Sequence, residues 1–228
     1  MFKNFFLSPF FSPAFYLVLW SALLAVVLIF FPAQKFEITT DGQIIDVLTY
    51  IGYALMLITM IWAYKDFKGK TLCWSIYFML GIAALLREAG IQHHLSSTDS
   101  TPFKSRFFLN PDNPLHEKII YGLILVLIFG ALLYLAVKYT KHLIISFFEF
   151  STLTWSIATF CSVLVFAKFA DRFPSHWRHF HHSRALPQEF IDIWSLLEES
   201  SELFLPYLVI IVFIQYHFIK TRKSATNS

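Results

Sequence analysis

The stretch 118-KIIYGLILVLIFGALLYLAVKYTK-141 decides the fold. Between Lys118 and Lys138 lie nineteen residues without a charge. An α-helix needs about 20 such residues to cross a hydrocarbon core roughly 30 Å thick. The segment is therefore a membrane span bounded by lysines.

Working outward from it, the sequence predicts six spans, at about 14–32, 44–64, 72–91, 118–138, 145–169 and 190–219. Pro9 and Pro13 precede the first and Pro32 ends it. The opening MFKNFFLSPFFSPAFYLVLW has no small-residue cleavage site after its apolar run, so it is expected to remain as the first helix. The composition agrees. Of 228 residues 57% are hydrophobic and 14% charged, against about 25% charged in soluble domains. The expected fold is all-α: one transmembrane domain over residues 1–228, with no second sizeable soluble domain. Cys73 and Cys161 fall in apolar segments and are expected to pack as small residues.

A net charge of +3 without a basic run excludes a nucleic-acid partner and leaves Lys and Arg as markers of topology. Lys3, Lys65, Lys68, Lys70, Lys138, Lys141, Lys220, Arg222 and Lys223 share one side of a six-helix chain. The positive-inside rule puts that side, with the N- and C-termini, in the cytoplasm. The outer connections are then 33–43, 92–117 and 170–189. The middle one, rich in Ser, Thr, Asn and Pro, is predicted to be irregular, with Asn113 capping helix four and Pro114 at its first position.

A second stretch, 192-DIWSLLEESSELFLPYLVIIVFIQY-216, sets acids against hydrocarbon. Asp192, Ser195, Glu199, Glu202 and Pro206 follow helical intervals and line one stripe. Glu198 and Glu202 are one turn apart and repel unless a cation or proton intervenes. Pro206 removes the N–H that would bond the Glu202 carbonyl. Helix lengths put Arg87 and Glu88, at the end of helix three, near the same outer depth, with Asp46 from helix two. Histidines join this layer: His93, His94, His116 and the four of 176-HWRHFHH-182. His142 and His217 lie instead near the cytoplasmic edge.

Three readings fit these residues. In the first, Arg87 pairs with Glu198 or Glu202, and the histidines are solvated. In the second, His93, His94, Asp99 and Glu202 hold Zn²⁺ or another divalent ion. In the third, the charges relay protons or ions in a transporter or its accessory. No HExxH, no helical ExxH di-metal motif and no GxSxG elbow occurs.

The block LREAGIQHH (86–94) followed by SSTDSTPFKSRFF (96–108) resembles small bacterial inner-membrane proteins, a likeness that brings no activity with it. The His-then-Asp segment and later histidine cluster are similar to those of the alkaline ceramidase and progestin/adiponectin-receptor type of membrane hydrolase. That resemblance implies zinc held by His93 or His94, Asp99 and two of His176, His179, His181 and His182. That family has seven helices and an HxxxH spacing that this chain lacks.

The function expected is that of an integral inner-membrane protein with an outward-facing His/carboxylate site, acting on or sensing a lipid or lipid-linked substrate. In the hydrolytic form a metal lowers the pKa of bound water to about 7 and one of Glu88, Glu198, Glu199 or Glu202 is the general base. The alternative is a non-enzymatic subunit or transporter accessory that docks a partner membrane protein.

Overall fold

A computed structural model describes residues 5–30, 44–91, 105–180 and 186–226. Among these residues no strand occurs, and six helices are long and apolar enough to cross a membrane. They are α1 (Phe11–Phe30), α2 (Ile44–Trp62), α3 (Thr71–Glu88), α4 (Leu115–Phe148), α5 (Thr152–Phe180) and α6 (Gln188–Thr226). A 3-10 turn, Ala63–Phe67, extends α2, and a five-residue helix, Ser105–Leu109, precedes α4. The chain is a multi-pass membrane protein of all-α fold.

Helix ends correct the expected bounds where local chemistry outweighs hydropathy. α3 stops at Glu88, not 91, because Gly90 takes a left-handed φ of 63° and its N–H bonds the Arg87 carbonyl. α4 does not end at 138. Lysines favour helix, so it continues through Lys138, Lys141 and His142 to Phe148. The expected start of helix five at 145 is thereby overturned, since those residues belong to α4. The break falls at Phe150, whose φ is 54°. There the rings of Phe147 and Phe150 both stack on Trp155, at 4.8 and 5.5 Å. α5 runs through Pro174 to Phe180, so His176 and His179 stand on a helix rather than in the expected loop. Asn113 is buried, its amide donating to the Phe107 carbonyl at 2.7 Å, and the first helical bond of α4 runs from Lys118 N–H to the Pro114 carbonyl.

The described residues fall in two compact units, one drawn from Met1–Asp66 with Phe147–Ser228 and the other from Phe67–Ser146. In the second, Lys138 Nζ donates to Cys73 Sγ at 3.1 Å and Tyr139 Oη donates to the same sulfur at 3.4 Å, pairing the start of α3 with the later half of α4. Cys73 is buried as expected, whereas Cys161 is exposed.

The first unit is built on α6. Ser12 meets Ser156 and Trp20 meets Phe166, so α1 and α5 run parallel. Phe6 meets Gln215 and Trp20 meets Ser200, so α1 and α6 are antiparallel. Leu48 meets Tyr207 and Asp66 meets His217, so α2 and α6 are parallel. This alternation is what six successive crossings require. Its polar contacts are satisfied internally. Ser12 donates to Ser156 at 2.5 Å, Ser156 to Gln215 Oε1 at 2.6 Å, and Gln215 Nε2 to the Phe6 carbonyl at 2.9 Å. All three side chains are fully buried, as lipid-embedded polar groups must be when they have partners.

α2 crosses α6 at Gly52. A Cβ there would lie 2.9 Å from Pro206 Cγ and 2.9 Å from Tyr207 Cε2. Gly52→Leu is expected to destabilise the protein by about 1–3 kcal/mol through overpacking, read as a lower thermal midpoint in detergent; an unchanged midpoint would refute the close crossing. For topology, a reporter fused after Thr226 is expected to score cytoplasmic and one inserted at residue 110 external. The reverse result would invert the sidedness assigned to every site below.

Candidate functional site

The acids at the head of α6 have a cation on the neighbouring helix α5. Lys168 Nζ lies 2.6 Å from Glu202 Oε1, 3.8 Å from Glu198 Oε1 and 4.0 Å from Asp171 Oδ2. Arg172 Nε lies 3.6 Å from the same Asp171 oxygen. Glu202 retains only 10% of its side-chain exposure and Lys168 retains 37%. A buried carboxylate is thus neutralised by an ammonium that still reaches the surroundings.

Local sequence explains why the two helices come this close. On α5 the buried residues Val163, Ala167 and Ala170 are mostly small, allowing backbones to approach. On α6 Ser200 and Ser201 are fully buried beside the acids. Trp20 Nε1 donates to Ser200 Oγ at 3.0 Å. Ser201 Oγ donates to the Leu197 carbonyl at 2.6 Å, leaving Tyr16 Oη to donate to Ser201 Oγ at 3.3 Å. Aromatic donors from α1 therefore hold the turn that presents Glu202.

Depth follows from helix length. Glu202 and Lys220 are eighteen residues apart, about 27 Å of helix, close to one hydrocarbon thickness. The lysine end of α6 and the Glu202 end thus stand at opposite membrane boundaries.

The expected site residues divide. Glu198, Glu202 and, half-buried beside them, Glu199 come together on α6. Asp192 accepts from Gln188 Nε2 at 2.8 Å one turn above. Arg87, exposed, and Glu88, half-buried, close α3 in the other unit. His93, His94 and Asp99 lie outside the described residues, as do His181 and His182. His176 and His179 are exposed on the last turns of α5. Among the described residues no three His, Cys, Asp or Glu side chains gather as metal ligands would.

Lys168 is what the sequence argument missed. It lies at the margin of an apolar segment, where it reads as a terminus. The available signal was its neighbour pattern, KFADR over 168–172, which puts Lys168 and Asp171 one turn apart on one face. No protein-family model, curated protein or solved structure matches the chain.

Lys168→Ala would leave Glu202 buried without its cation. The expected loss is about 1–3 kcal/mol, below a fully buried pair because Lys168 is partly exposed. Lys168→Ala combined with Glu202→Gln should recover most of it. A double variant no more stable than Lys168→Ala would show that the pair is not what holds Glu202.

Proposed function

We propose that this is a bacterial inner-membrane protein whose outer cluster of Lys168, Glu198 and Glu202 binds the headgroup of a lipid or lipid-linked substrate. The supporting observation is the charge balance at the cluster. Two cations, Lys168 and Arg172, meet three carboxylates, Asp171, Glu198 and Glu202, at a membrane boundary, and the most buried of these, Glu202, receives the Lys168 ammonium at 2.6 Å. Charges at this depth are costly and mark substrate or ion sites in membrane proteins. A headgroup amine or a divalent ion would be met by the carboxylates, and a headgroup phosphate by Lys168.

The hydrolytic form of this proposal adds Zn²⁺ or another divalent ion, with His93, His94 and Asp99 joining Glu202, and Glu198 or Glu199 as base. In that form the ion would share Glu202 with the Lys168 ammonium, which lies on Oε1.

A non-enzymatic subunit is the second reading, and α4 is the feature that favours it. Its 34 residues span about 51 Å, well beyond a membrane thickness. Its buried residues are Tyr121, Ala131 and Ser146. A long apolar helix of this kind offers a partner membrane protein a docking surface.

Two measurements separate these forms. Native mass spectrometry of the protein released from its own membrane should find a retained lipid that Glu198→Gln combined with Glu202→Gln loses, with helicity unchanged by circular dichroism. Retention of the same lipid by that variant rejects the headgroup site. Elemental analysis should find about one transition-metal ion per chain if the hydrolytic form is right, reduced in Glu202→Gln. A metal-free, stable, lipid-retaining preparation rejects that form.

A further inference from the structure

A second group of charges stands at the opposite end of α6. His217 Nδ1 lies 2.7 Å from Asp66 Oδ2. An ionised carboxylate can only accept, so Nδ1 carries the proton and Nε2 is the remaining nitrogen. Lys220 Nζ donates to the Asp66 carbonyl, which uses one of its three N–H groups.

The indole of Trp62 gathers the other members. The His217 ring packs edge-on at 4.5 Å from it, and the Lys65 ammonium sits 4.8 Å from its centroid. Lys65 is exposed, with no carboxylate within 4.0 Å among the described residues. The one carboxylate of the group, Asp66, is buried and directed at His217. Two ammonium groups, one over Trp62 and one on the Asp66 carbonyl, therefore flank an acid that is turned inward to His217. Ile58, Ile61 and Trp62 are exposed at helical spacing below Lys65, an apolar track leading from the hydrocarbon to the charges.

We propose that this corner between α2 and α6 binds the phosphate of an anionic phospholipid of the cytoplasmic leaflet. Lys65 and Lys220 take the phosphate oxygens, His217 braces Trp62 and Asp66 beneath them, Trp62 lies at the glycerol level, and Ile58 and Ile61 lie along the acyl chain. Interfacial Trp and juxtamembrane Lys recognise such lipids by the same physics. A free phosphate offers the same oxygens but has no use for the apolar track. This site is separate from the outer cluster and does not depend on its assignment.

The test is a thermal-shift titration of the full chain in detergent with dioleoyl-phosphatidylglycerol, with dioleoyl-phosphatidylcholine and inorganic phosphate as controls. Phosphatidylglycerol alone should raise the midpoint, and Lys65→Gln should move its half-effective concentration up about fivefold, the worth of one basic residue at an anionic surface. His217→Gln, which removes the ring packed on Trp62, should weaken the response as well. Because that variant also disturbs Asp66, Lys65→Gln, which touches only the outer face of Trp62, carries the test if His217→Gln fails to fold. Equal shifts with phosphatidylcholine, or an unchanged response in Lys65→Gln, overturn the proposal. Inorganic phosphate reproducing the whole shift overturns the lipid assignment in favour of a soluble anion.

Discussion

The ion pair between Lys168 and Glu202 sets the register of the helices on which the first unit is built. Moving a carboxylate out of water costs several kcal/mol, and only a matched cation with good geometry offsets that. The antiparallel pairing that brings Lys168 to Glu202 also brings Ser156 to Gln215, twelve residues earlier on α5 and thirteen later on α6. The two contacts agree to within one residue. A slip of one turn would lose both together, stranding a charge at one end and an amide at the other. Lipid supplies no hydrophobic preference among apolar faces, so polar matches of this kind select one packing from many.

Much of the fold was legible because a membrane asks a simple question of a sequence. Each of the six predicted spans has a helix that answers to it, and Glu198, Glu199 and Glu202 share one helix. The ends were less legible. Lys138 and Lys141 read as a boundary, yet lysine is a good helix former and marks where water begins, not where the backbone turns. The turn was set instead by Phe150 and the stacking around Trp155, which hydropathy does not register.

The same blind spot hid the cation. Arg87 is conspicuous because it ends an apolar run with Glu88 beside it, whereas Lys168 offers only its one-turn spacing from Asp171, which does not reveal a partner on another helix. Pairing across helices is a tertiary fact. Ser12, Ser156 and Gln215 illustrate it again, since each reads alone as a minor polar interruption and only packing makes them one chain of hydrogen bonds.

That chain has a direction. Ser12 gives its hydrogen to Ser156, Ser156 to the amide oxygen of Gln215, and the amide nitrogen to the Phe6 carbonyl. A carboxamide does not exchange protonation state near neutrality, and the main-chain carbonyl at the end holds no hydrogen to release. To pass a proton, both hydroxyls would have to rotate and the amide invert within a close-packed interior. The inner third of this unit is therefore insulating in the electrical sense. It can join three helices by polar contacts without making a path for protons.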